Sequence, residues 1–118
     1  MKHTIEQIKQ GAYNRKELGD KYAINKIKNR TVYRTFDLDD GYPADKDFIE
    51  VTDVVKSEPV RIWYNTKEKA TFTFVEGDII LVISKTEKDF LRELIEIGIF
   101  YGADDPSIAN NLSNEFPW

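Results

Sequence analysis

The sequence predicts an α+β domain: an N-terminal short helical pair, a five-stranded antiparallel meander sheet, and a long C-terminal helix packed on one sheet face. Three observations carry this expectation. Apolar residues keep helical spacings near the N-terminus, recur every second residue from Thr31 to about Ser84, and return to a helical stripe after Thr86. Turn-forming residues interrupt the middle section at short intervals, at Asp39-Asp40-Gly41-Tyr42-Pro43, Ser57-Glu58-Pro59, Asn65 to Lys69 and Glu76-Gly77-Asp78, leaving no room for the crossovers that parallel pairing needs. At 118 residues, with 41% apolar and 13% aromatic side chains, the chain is long enough to bury one core, so residues 1–118 are read as a single domain.

Within that domain, residues 1–30 are a basic helical segment, 31–85 the antiparallel sheet and 86–113 the C-terminal helices. Thr4 with Gln7 three residues on is a capping box, Ile5 and Ile8 share a face, and Gly11 is the expected stop. Asn14 with Glu17 opens a second short helix that runs to about Tyr22. The first strand alternates Val32, Phe36 and Leu38 with Tyr33, Thr35 and Asp37. Phe48 to Val55 is the second, with Ile49, Val51 and Val55 on one face. The third sets Val60, Ile62 and Tyr64 against Arg61 and Trp63, and the fourth sets Ala70, Phe72 and Phe74 against Thr71 and Thr73. On this pattern Arg61, Trp63, Thr71, Thr73, Tyr33 and Thr35 share the face opposite the long helix. Ile79 to Ser84 is apolar throughout, as in a central strand covered on both sides. Thr86 with Asp89 caps the long helix, whose stripe of Phe90, Leu91, Leu94, Ile95, Ile97 and Phe100 ends near Tyr101, with Gly102 as its stop. Asp105-Pro106 opens a last short helix to about Leu112.

Composition removes several classes of chemistry. There is no cysteine, so disulfides, thiolate nucleophiles and Cys-ligated zinc are excluded, and the one histidine, His3, reads as incidental beside the N-terminus. The longest apolar run, Ile79 to Ile83, is strand-sized, and the opening MKHTIEQIKQ is too charged for a signal peptide, so a cytoplasmic protein with no membrane partner is expected. No Gly-rich phosphate loop is present and no cofactor is implied. Asp37 to Phe48 fails as a calcium loop, because Gly41 falls at the fifth position and Phe48 at the twelfth. Glu76, Asp78 and Lys85 are the nearest approach to a metal-dependent nuclease set, but Lys85 lies seven residues beyond Asp78, some ~23 Å along a strand. The expectation is therefore no enzyme and no metal.

Charge is divided unevenly along the chain. Met1 to Phe36 carries nine Lys/Arg against three acids, a balance of +6, and Asp37 to Trp118 carries eight against eighteen, a balance of −10. Such asymmetry points to charged partners. The acidic candidates for partner binding are Asp37, Asp39, Asp40, Asp45 and Asp47, then Asp104 and Asp105. With size and the missing catalytic groups, they suggest a small protein that occludes the basic or nucleic-acid-binding site of a larger one by stoichiometric binding. Phage anti-defence (anti-CRISPR-like) and immunity-type inhibitors are the classes meant.

The segment Arg15 to Arg34, RKELGDKYAINKIKNRTVYR, resembles a helix-turn-helix. Leu18, Gly19, Tyr22 and Ile24 stand at the packing positions, and Thr31-Val32-Tyr33-Arg34 at the end of a recognition helix. This resemblance implies the alternative function, a DNA-binding regulator using Lys16, Lys26, Lys28, Arg30 and Arg34. The same Thr31 to Phe36 also reads as a strand, so the conformation of residues 23–36 decides between helix and sheet. A homodimer or assembly subunit is a third reading, with Phe116-Pro117-Trp118 as an aromatic end that docks on the core or anchors a partner.

Overall fold

A computed structural model describes residues 2–37, 39, 41–52 and 60–102. The expected last short helix, the Ser57-Glu58-Pro59 break and the aromatic C-terminus lie outside the described residues. Helix α1 spans Ile5–Glu17 and α2 spans Glu87–Gly102. The strands are β1 (Lys2–His3), β2 (Ile24–Ile27), β3 (Arg30–Phe36), β4 (Tyr42–Pro43), β5 (Ile49–Glu50), β6 (Arg61–Asn65), β7 (Ala70–Val75) and β8 (Asp78–Ser84). The result is an α+β fold whose main sheet has six antiparallel strands in the order β2-β3-β8-β7-β6-β5, with β1 and β4 forming a small parallel pair beside it.

The core lies between this sheet and α1. Register brings Trp63, Phe72, Leu81, Tyr33 and Ile24 into one row across β6, β7, β8, β3 and β2. Flanking rows add Phe74 with Ile79, and Ala70 with Ile83. Ile5, Ile8 and Ala12, at helical spacing on α1, close over this face and are buried with it. Phe72 is the centre, fully buried, with edge-to-face contacts to Trp63 (5.2 Å) and Phe48 (6.2 Å). Helix α2 lies against β8 and β7 with Phe90 fully buried, and Glu93 and Glu96 meet Arg30 from the other sheet face. Both faces are thus covered, which is why β7 is buried at Thr71 and Thr73 as well as at Phe72 and Phe74.

Two local expectations hold at atomic detail. The Thr4 hydroxyl accepts the Gln7 amide (3.1 Å) while the Gln7 side chain accepts the Thr4 amide (2.9 Å), a complete capping box. The Thr86 hydroxyl likewise accepts the Asp89 amide at 3.1 Å. The turn between β7 and β8 places Glu76 (φ 48°) and Gly77 (φ 85°) both at positive φ, as the type I′ connection of a two-residue hairpin requires.

Other expectations are corrected. Among the described residues the N-terminal segment holds one helix, not a pair. Asn14 is inside α1, its side chain accepting from Gln10 (3.0 Å), and the helix ends in a Schellman motif at Gly19 (φ 104°). There the Asp20 amide bonds the Arg15 carbonyl (3.0 Å) and the Gly19 amide the Lys16 carbonyl (3.1 Å). Gly11 does not stop the helix; it lets α1 approach β3. A methyl group at Gly11 would lie 2.6 Å from Thr35 Oγ1 and 3.3 Å from its Cβ. Gly11→Ala gains about 1 kcal/mol of helix propensity, against about 1–3 kcal/mol for overpacking. A net loss of stability is expected in urea unfolding, with Thr35→Ala in the same chain recovering part of it. A gain from Gly11→Ala alone would place the helix wrongly.

Residues 24–27 and 30–36 form a β-hairpin, closed by Lys28 at φ 53°, so the sheet has six strands rather than five. Ile24 and Ile27 have a helix-compatible spacing, but pairing with β3 supplies backbone partners that an isolated short helix lacks. The meander order holds from β5 to β8 only. β3 pairs with β8 along its whole length, and the chain then crosses to β5 at the opposite edge, with Tyr42 and Phe48 packed on the core. On this crossing Gly41 sits so close that a methyl there would be 2.8 Å from Ile79 Cδ1 and 3.2 Å from Phe74 Cδ2. The face assignment is also revised. Trp63 pairs with Phe72 and Tyr64 with Thr71, so Arg61, Trp63, Tyr33 and Thr35 share the α1 face while Thr71 and Thr73 are on the other. Ile49 and Val51, expected on one face, differ in burial, Ile49 being 55% exposed and Val51 buried, while Val55 lies outside the described residues.

Candidate functional site

Of the acidic residues singled out, two are internal anchors. Asp37 follows the last residue of β3, and its amide donates to the Gly77 carbonyl at 2.9 Å. Its buried carboxylate accepts from His3 Nε2 at 2.7 Å and from the Asp39 amide at 3.0 Å. The His3 hydrogen bond, aided by the Asp39 amide and opposed by burial, holds the Asp37 carboxyl below the usual carboxylate range. His3, read as incidental, is therefore the partner that ties β1 to the end of β3. Asp45 accepts the Ile5 amide (2.8 Å), satisfying an N-terminal donor of α1. Asp47 is half-buried and pairs with Lys67 at 3.4 Å. Asp39 is exposed. Asp40, Asp104 and Asp105 lie outside the described residues.

The fold brings other acids to Asp39. Pairing of Phe36 with Asp78, and the bond from Asp37 to Gly77, set the segment after β3 beside the β7–β8 turn. Exposed Asp39, Glu76 and Asp78 therefore sit at one end of the sheet, and none has an ion-pair partner among the described residues. Glu76 and Asp78 flank a hairpin glycine about forty residues further along the chain, so only the non-local β3–β8 register could have joined them to Asp39. Among the described residues no group of carboxylates and histidine is placed to hold a metal ion. Lys85 follows the far end of β8, so the set of Glu76, Asp78 and Lys85 is not assembled.

The opposite end of the sheet gathers three lysines among acids of the β6–β7 turn and the α2 start. The Lys85 amide bonds the Asn29 carbonyl (2.8 Å) and the Ser84 amide the Lys69 carbonyl (2.9 Å), so the β2–β3 turn, the β6–β7 turn and the start of α2 adjoin. They bring Lys28, Lys69 and Lys85 together.

The basic candidates do not form a recognition helix. Lys26 and Arg30 are in a β-hairpin, Lys28 is in its turn and Arg34 is on β3, while Lys16 is near the end of α1. A strand over residues 30–36 replaces the helix that the helix-turn-helix resemblance requires. Arg30 is not available either, because it is bound to Glu93 and to Glu96 (3.0 Å). The Glu96 hydrogen bond and the charges of both glutamates raise its pKa, against burial. Burial pushes the Glu93 carboxyl up, with Arg30 opposing it. A cleft of about 140 Å³ opens beside this network, lined by Lys28, Arg30, Asp89, Arg92 and Glu96 among others. It is smaller than the ~300 Å³ at which ligand pockets begin, and its charges are of both signs.

The class defined on these grounds is an α+β fold with a mostly antiparallel six-stranded sheet. Comparison with known proteins finds no family model, no curated protein and no solved structure that matches the chain. No helix among the described residues is long and apolar enough to cross a membrane.

Proposed function

We propose that this chain is a small non-catalytic binding protein that occludes a basic, nucleic-acid-binding site on a larger protein, in the manner of a phage anti-defence or immunity-type inhibitor. The supporting observation is the acidic rim of Asp39, Glu76 and Asp78, exposed and held in place by the backbone bond between Asp37 and Gly77. Carboxylates presented at fixed positions imitate a run of phosphates, and their field speeds encounter with a basic groove over roughly one Debye length, ~8–10 Å at physiological salt. The hairpin at residues 24–36 removes the structural support for a helix-turn-helix regulator.

The test is affinity capture from the native host with the unaltered protein and with the triple variant Asp39→Asn/Glu76→Gln/Asp78→Asn. A basic protein retained by the first and lost by the second, with circular dichroism unchanged, is the expected result. Capture of the same partner by both would sink the rim as the contact. A mobility-shift titration with duplex DNA at low salt is expected to be flat; a salt-sensitive shift would favour the regulator instead.

A further inference from the structure

The two-residue turn at Lys28-Asn29 makes Ile27 and Arg30 a hydrogen-bonded pair, and alternation makes Asn25–Val32 and Ala23–Arg34 the next ones. The bond from the Arg34 amide to the Ala23 carbonyl (2.8 Å) confirms this phase. The N–H and C=O groups of Ile24 and Lys26 therefore point away from β3, off the edge of the six-stranded sheet, and none of the described hydrogen bonds uses them. Ile24 is packed against the core, so the edge is anchored rather than frayed.

Charge contributed by the hairpin itself is of one sign, although Asp89, Glu93 and Glu96 of α2 approach its turn and Arg30. From Lys21 to Phe36 there are five cations, Lys21, Lys26, Lys28, Arg30 and Arg34, and no carboxylate. Only Arg30 among them is in an ion pair within the described residues. Just before the strand, Tyr22 is 66% exposed and Leu18 at the end of α1 is 88% exposed, which provides apolar contact beside the cations.

We infer that the edge of β2, unpaired among the described residues, is a docking site for an acidic, extended peptide segment of another protein, taken up as an added strand. This goes beyond the acidic rim and does not depend on it. Main-chain bonds to Ile24 and Lys26 supply the pairing, while Lys21, Lys26 and Lys28 select the charge of the incoming strand. The same lysines oppose self-association, because a second copy's β2 would bring like charges together across the edge. Single-stranded nucleic acid fits less well. It needs several aromatic platforms along a basic groove. Of the aromatic residues in the hairpin strands, Tyr33 is buried beneath α1, and exposed Phe36 lies at the far end of β3, beyond the residues paired with β2 and covered on its ring by Arg15 (4.3 Å).

The experiment uses the full chain and synthetic probes: a peptide of alternating glutamate and valine, its lysine–valine counterpart, and oligothymidylate. The glutamate peptide alone is expected to bind at low salt and to slow hydrogen exchange at the Ile24 and Lys26 amides. Lys26→Pro removes one outward N–H without touching the β2–β3 ladder, and Lys26→Glu/Lys28→Glu reverses the charge. Each is expected to weaken binding about tenfold or more, as loss of a ladder bond or of charge matching does. Because the proline variant can disturb the hairpin, a glutamate peptide N-methylated at alternate residues tests pairing on the unaltered protein, and it is expected not to bind. Equal binding by the methylated peptide, exchange protection elsewhere than β2, oligothymidylate binding to this edge in place of the peptide, or no peptide binding would each overturn the inference.

Discussion

Phe72→Ala is expected to destabilise the protein by about 3–5 kcal/mol, the range for emptying a buried phenylalanine site. Phe72 is fully buried in the middle of β7, and its ring is the shared edge-to-face partner of Trp63 and Phe48. Backbone on either side is fixed by β6 and β8, so the cavity cannot collapse by moving the strand. Against a total of about 5–15 kcal/mol for a protein of ordinary stability, such a loss lowers the midpoint of urea unfolding by roughly 1 M or more, at about 1–3 kcal/mol per molar urea. Ile49→Ala is the control. Ile49 is 55% exposed at the β5 edge, and its removal is expected to change stability by less than about 0.5 kcal/mol. Similar effects from the two variants would mean that the core is not centred on β7.

Asp37→Ala is expected to destabilise by about 1–3 kcal/mol at neutral pH, because it leaves the His3 ring nitrogen and the Asp39 amide without their acceptor. The pH dependence follows from the direction of the Asp37 shift. Its folded pKa is depressed, chiefly by the His3 hydrogen bond, so its contribution is complete above the unfolded value of about 3.9 and is lost as pH falls through the lower folded value. Urea midpoints of the native protein and the variant should therefore differ by a constant amount from about pH 5 to 7 and converge below about pH 4. A gap that persists unchanged into strong acid would mean that shape rather than charge holds this junction.

Features with local causes were legible in the sequence. The Thr4–Gln7 and Thr86–Asp89 caps, the Glu76-Gly77 turn and the buried run of β8 each depend on residues a few positions apart. The errors came from contacts between distant segments. Gly11 carries the same letter whether it ends a helix or admits a strand, and only its approach to Thr35 on β3 distinguishes the two. The phase of β6 against β7 was hidden because both faces of those strands are buried, so alternating Thr and Phe did not reveal which lay under α1. Among candidate site residues, Asp39 is exposed, while Asp37 and Asp45 bind His3 and the Ile5 amide, 34 and 40 residues away, contacts that no local pattern signals. Glu76 and Asp78 joined the rim only through the β3–β8 register.

The acidic rim is tested most directly by the rate at which the captured partner associates with this protein as ionic strength is raised. Electrostatic steering predicts an association rate that falls steeply with salt for the unaltered chain and is nearly flat for Asp39→Asn/Glu76→Gln/Asp78→Asn, with dissociation changing less. Equal salt dependence in the two proteins would contradict the rim as the surface that meets the partner.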